Sequence, residues 1–222
     1  LLAGSEGTLA FTKEIKINLV DLPPQKCGIL AIHSESINDS LEANKIALKY
    51  KPGASELMDK IILECTKENI NQSKNRFFIK GDPAAVLCVE FERETKEEIE
   101  EICEKLTAEL KEKGLGYHYP VVWGQDTVKV WNLRKAGLGL LANIPGDAKA
   151  VACIEDTAVA IEDLPEYIEA FTALMKSYHQ KAVYYAHAGA GELHLRPILN
   201  LKSSADVKLF RSISEASAKL VK

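Results

Sequence analysis

No run of apolar residues in this 222-residue chain approaches the roughly 20 that a membrane-spanning helix requires. Nor is there an excess of basic residues. Lys and Arg number 28 against 32 Asp and Glu, a formal charge of −4, which leaves no electrostatic footprint for nucleic acid or an anionic membrane surface. Cysteine is scarce and unpatterned. Cys27, Cys65, Cys88, Cys103 and Cys153 are odd in number, form no CxxC pair and mostly sit in apolar stretches, so buried free thiols in a reducing compartment are expected. The opening Leu1–Phe11 lacks the basic flank of a signal peptide. A cytoplasmic protein with small-molecule or protein partners is expected. Position 1 is not Met, and no Gly or Pro stop signal closes the helical pattern ending at Lys222. The chain is therefore expected to be a piece of a longer protein.

What is present is ordinary globular composition, 46% hydrophobic and 27% charged. Short β-branched or alternating stretches predict strands at 11–20, 26–33, 84–92, 116–122, 149–155, 181–187 and 193–199. Helical periodicity is clearest over 96–113, where Ile99, Cys103, Leu106 and Leu110 recur at threes and fours among Glu and Lys. Further helices are expected at 37–50, 127–141, 164–178 and 205–222. Strand pairs separated by single helices, without regular βαβα alternation, predict an α+β fold: antiparallel sheet, ferredoxin-like split units and helices largely on one side. The polar stretch 68–81 reads as an exposed connection.

Three segments carry chemistry. Gly4-Ser5-Glu6-Gly7-Thr8 brackets small polar residues with glycines, which lets backbone amides approach an anion; taken alone, such a loop is more often a plain turn. Val130–Leu141 places Arg134 on an apolar helix, suited to bidentate grip of a carboxylate or to snorkelling at the surface. The third is Tyr184–Pro197. A hairpin tipped at Ala190-Gly191 would set His187 opposite His194, two imidazoles on one face aimed at one cation or substrate.

In this order, GSEGTLAFT from Gly4, ASELMD from Ala54, VWNLRKAGLGLL from Val130, CIEDTAV from Cys153 and HAGAGELHLRP from His187 resemble the FAD-linked oxidases of the vanillyl-alcohol oxidase type. That family includes D-lactate dehydrogenases, the glycolate oxidase flavin subunit and D-2-hydroxyglutarate dehydrogenases. The resemblance is closest to the branch fused to a C-terminal iron-sulfur region, which would lie outside this chain. It implies that residues 1–12 are the end of an FAD-binding domain, with Gly4, Ser5, Glu6, Gly7 and Thr8 touching the flavin, and that 13–222 form the substrate domain, truncated before its end. It also implies that Arg134 anchors a substrate carboxylate and that His187 and His194 bind a divalent metal, zinc first, or the substrate hydroxyl. A further ligand and a catalytic histidine of the family usually sit in a later Glu-His-Gly motif. The commoner family hairpin reads His-x-Gly-Asp-Gly-Asn-x-His, where this chain has Ala190 and Glu192.

The implied reaction is oxidation of a D-2-hydroxy acid to the 2-oxo acid by hydride transfer to FAD, with electrons passing to a further acceptor. The fragment alone would be inactive. The competing reading is a non-catalytic α+β module that binds a metal or small molecule.

Overall fold

The computed structural model describes residues 1–222. The first unit runs β1 (Lys26–Ser34), α1 (Ile37–Leu48), β2 (Ala54–Asp59), α2 (Lys60–Lys67), α3 (Ile70–Ser73), β3 (Ala85–Arg93), α4 (Lys96–Glu112) and β4 (Val121–Trp123). Its strands lie in the order β4-β1-β3-β2, all pairs antiparallel. That is the ferredoxin-like split arrangement expected. After α5 (Asp126–Leu140), a second unit follows: β5 (Lys149–Ala150), β6 (Ile154–Ala158), α6 (Leu164–Ser177), β7 (Ala182–His187), β8 (Glu192–Leu199) and α7 (Ser204–Val221). Here β8 lies between β6 and β7, as β3 lies between β1 and β2. The β2–β7 seam, Leu57↔Ala186 and Met58↔Tyr185, joins the units into one eight-stranded sheet.

Alternation along the strands feeds two apolar layers. On one face Leu30, Ile32, Leu87, Val89 and Leu195 pack with α1, α4, α6 and α7; on the other, Ile29, Ala31, Cys88, Val183 and Tyr185 pack with α2 and α5. Covering both faces explains why β1 reads as an unbroken apolar run. At about 1.5–3 kcal/mol for each large side chain fully buried, residues such as Ile62 and Leu133 hold the smaller layer. Most helical residues are on the first face, as expected; α5, which carries Arg134, is on the second. Local signals agree with the packing: Thr95 and Glu98 form a reciprocal capping box at the start of α4, and Ile99, Cys103, Leu106 and Leu110 are its buried stripe.

Several elements differ from expectation. Residues 11–20 pair with nothing, and Phe11, Leu19, Val20 and Leu22 are each at least 90% exposed; their alternation finds no sheet edge. Strand 116–122 shrinks to Val121–Trp123 plus a single bridge, His33↔His118. The strand expected at 149–155 breaks into β5 and β6. Val151 N donates to Pro197 O, but Pro197 has no N–H to return, so the ladder stops there. β2 and α2 fall where no element was expected. The 68–81 stretch is a connection that contains α3 and buries Phe78.

His33 is fully buried, with Nδ1 beside Ala31 O at 3.1 Å and Nε2 accepting from Lys80 N at 3.3 Å. These partners fix the neutral ring with its proton on Nδ1. Burial pushes its pKa down from 6.5 to about 4. The unfolded chain takes up this proton near pH 6.5 and the folded chain resists until about 4, so stability present above that window is lost as pH falls through it. Between pH 7 and 4.5 the loss from this residue should be about 2 kcal/mol. His33→Asn should flatten the pH dependence of unfolding free energy by that amount, measured by urea titration at both pH values; parallel profiles for the two proteins would remove His33 as the cause.

Candidate functional site

The β7–β8 hairpin builds one half of the site. Ala188–Ala190 form a short 3₁₀ turn closed by Gly191 at φ +70°, where an added Cβ would lie 2.3 Å from Val159 O. Only glycine fits there. The four-residue connection moves the register from the one expected: His187 faces Glu192, and His194 faces Tyr185. The offset is two residues, and side chains alternate with period two, so both histidines keep the same face. Their rings sit diagonally, 5.3 Å between centres and 73° apart. The tip is tied down from below, Asn44 Nδ2 donating to Ala188 O at 2.9 Å and Ser55 Oγ to Asn44 Oδ1 at 2.7 Å, all buried.

Glu56 on β2 supplies the bridge. It lies on the same face as Met58 and Cys88, across the seam from β7. Its Oε1 is 3.0 Å from His187 Nδ1 and its Oε2 pairs with Arg134 Nη2. Arg134 is 8% exposed, so it is held inside and does not snorkel. Its guanidinium lies 4.2 Å from the Tyr185 ring centre, and Nη2 donates to Ala186 O at 3.3 Å. Tyr185 in turn donates its hydroxyl to Arg134 O at 3.1 Å. Burial, with Arg134 opposing, pushes the Tyr185 hydroxyl up from its ordinary value. Nη2 is also 3.4 Å from His187 Nδ1. A guanidinium only donates and a carboxylate only accepts, so the shorter contact assigns an Nδ1 proton to the Glu56 bond; in the neutral ring this tautomer carries its lone pair on Nε2.

A second carboxylate does the same for His194. Between Ile154↔Leu195 and Thr157↔Leu193 the β6–β8 register slips by one, so Glu155 and Asp156 both oppose His194. Asp156 takes φ +55° at this bulge. Glu155 Oε2 is 2.7 Å and Asp156 Oδ1 3.1 Å from His194 Nδ1, while Arg196 Nε holds the other oxygen of Glu155 at 2.6 Å. Ligand atoms of Glu155, Asp156 and His194 all lie within 4.8 Å of one another.

Arg134, His187 and His194 therefore share one face, the first two directly bridged. A cavity of about 450 Å³ opens beside them, walled by Glu56, His187, Gly189 and Glu192 among others. Arg134 and His194 are not in its wall, so the three residues share a polar network and not this cavity. Gly4–Thr8 is an exposed turn whose hydrogen bonds are local, Ser5 Oγ to Leu2 O and Thr8 Oγ1 to Ser5 O. Glu56, Glu155, Tyr185 and Arg196 were not foreseen as site residues. No strand was expected over Ala54–Asp59, so Glu56, like the others, had no signal apart from the motif that contains it.

An antiparallel α+β domain of two split units, with a partly buried His, Arg and Glu network able to receive a cation or an anion, is the class this architecture defines. Residues 33–222 match the family described as FAD linked oxidases, C-terminal domain, and the chain belongs to that family. D-2-hydroxyglutarate dehydrogenase of Haemophilus influenzae is 32% identical over 231 residues, 99% of this chain but 22% of that protein. Glycolate oxidase subunit GlcD of Escherichia coli K12 is 25% identical, covering 87% of the chain and 37% of the relative. D-lactate dehydrogenase of Archaeoglobus fulgidus is 27% identical, covering 90% and 41%. The chain thus spans less than half the length of each. Among solved structures, 4-ethylphenol oxidase from Gulosibacter chungangensis, in complex with isoeugenol, shares the fold, with TM-score 0.58 at 13% identity over 89% of this chain and 44% of its own.

The placement of Arg134 depends on how closely α5 approaches α2. Gly137, one turn beyond Arg134, has no room for a side chain, since its Cβ would meet Ile62 Cγ2 at 2.5 Å. Gly137→Ala gains up to about 1 kcal/mol of helix propensity but overpacks this contact at a cost of about 1–3 kcal/mol. Net destabilisation is expected in urea unfolding; a stabilised variant would show that the α2–α5 contact is not tight.

Proposed function

We propose that the whole protein oxidises a D-2-hydroxy acid to the 2-oxo acid, passing the C2 hydride to FAD, and that this chain forms its substrate side. The observation that carries the reading is the convergence of Arg134, His187 and His194 on one sheet face, the first two held by a single carboxylate. A 2-hydroxy acid bears its carboxylate and hydroxyl on adjacent carbons, so receptors for the two must lie close together. Arg134 receives the carboxylate. Its Nη2 is committed to Glu56 and Ala186 O, while Nε is buried without a hydrogen-bond partner, so the fork still has donor capacity unspent for a second anion.

The histidines hold a divalent cation, zinc being the first choice for imidazole ligands, with manganese or iron as alternatives. The fit rests on the chemistry of the donors: each ring has Nδ1 on a carboxylate, which leaves Nε2 for a metal, and ring centres 5.3 Å apart suit two imidazoles sharing one ion at about 2.1 Å. Such an ion, when bound, lowers the pKa of an alcohol placed on it. His187 and His194 orient the hydroxyl end, Arg134 the carboxylate end, and FAD accepts the hydride. Gly4, Ser5, Glu6, Gly7 and Thr8 are assigned to the flavin side, with residues 1–12 closing an FAD-binding domain and an iron-sulfur region following elsewhere in the protein. The setting proposed is cytoplasmic.

In the full-length protein, Arg134→Ala should lower kcat/KM roughly 10- to 100-fold, the worth of a charge-assisted hydrogen bond, with flavin content unchanged. His194→Ala should lose bound metal as well as activity. Steady-state kinetics on 2-hydroxy acids, with flavin absorbance and metal analysis, decide the matter: normal oxidation by both variants, or a full-length protein without flavin, would refute the assignment.

A further inference from the structure

Two separate elements solve one problem in the same way. On β2, Glu56 takes His187 Nδ1 with one oxygen and Arg134 with the other; on the β6 bulge, Glu155 takes His194 Nδ1 with one oxygen and Arg196 with the other. Each imidazole is thus fixed in ring orientation and tautomer by a carboxylate that is itself clamped by an arginine. The side chains of Glu56 and Glu155 are 16% and 27% exposed, and those of Arg134 and Arg196 are 9% and 19% exposed, so neither arrangement is a loose surface pair.

We propose that Glu56 and Glu155 are paired positioning residues, each aiming the Nε2 of one histidine at a shared divalent cation, with Arg134 and Arg196 as the clamps that hold the glutamates in place. This rests on the reading of His187 and His194 as cation ligands given above. A histidine whose Nδ1–H is held by a carboxylate is a better and better-directed ligand through Nε2, because the ring cannot rotate and its basicity rises. The arginines matter because an unclamped glutamate beside a cation would turn to ligate it directly. Asp156 is the second acid at His194, and its side chain is 67% exposed; having no arginine partner, it is not assigned this role.

The test uses the full-length protein stripped of metal by a chelator, with Zn²⁺ as probe and affinity read by competition with a fluorescent zinc indicator. The His187→Ala/His194→Ala double variant defines the background from cysteines and other sites. Glu56→Ala and Glu155→Ala should each weaken Zn²⁺ binding about 10- to 100-fold, the usual effect of removing a ligand's carboxylate partner. Glu56→Gln and Glu155→Gln keep an acceptor oxygen for Nδ1–H and should lose less, a graded rescue that a merely structural role would not produce. If Glu56→Ala does not accumulate as folded protein, the Gln variant and Glu155→Ala carry the measurement. Zn²⁺ affinity at the wild-type level in these variants, or a wild type no tighter than the double-histidine background, would overturn the proposal. Turnover is measured separately: a protein that binds Zn²⁺ through these histidines but oxidises no 2-hydroxy acid would sink the functional reading and leave this one standing.

Discussion

A carboxylate on a central strand, beneath a helix, is tolerated only where donors or cations meet it, because an uncompensated buried charge costs several kcal/mol. Glu56 is such a group, and the surrounding structure is arranged to satisfy it. The seam between β2 and β7 brings His187 to one oxygen; α5, on the less populated face of the sheet, brings Arg134 to the other. Breaking one partner of a buried pair typically costs about 3–5 kcal/mol, so this bridge also ties together the two split units and the helix between them. Fold and site depend on the same contact.

The second unit reaches a similar result by different means. Where β2 runs regularly past His187, β6 needs a bulge to present Glu155 and Asp156 to His194, and the residue in the left-handed region at that bulge is an aspartate. Pro197 ends the β5 ladder just before it, giving the strand freedom to restart out of register. Backbone irregularity here serves to point a side chain, a common use of bulges beside functional sites.

Local physics made much of the architecture legible in the sequence. The stripe of α4, the limits of β1, β3, β7 and β8, and the α+β class follow from periodicity and turn residues. The hairpin was recognisable, and both histidines could be placed on one face, but their partners could not be named, since Ala190-Gly191 does not reveal whether the connection has two residues or four. Glu56 was hidden for another reason. It lies 131 residues from His187, and a glutamate in a short strand looks like a solvent-facing residue until the seam is known. The 11–20 stretch failed in the opposite sense: alternation says which side would be buried, but not what would cover it.

Arg134, His187 and His194 were all nameable as site candidates, whereas the glutamates that hold them were not, because charge compensation is a property of the assembled sheet. The central claim, that the two histidines converge on one cation through Nε2, is tested most directly by X-ray absorption at the zinc edge of the Zn²⁺-loaded full-length protein. Two imidazole ligands at about 2.0–2.1 Å, both lost from the spectrum of the His187→Ala/His194→Ala variant, are expected; a spectrum with no imidazole scattering, or one unchanged by that double substitution, would contradict it.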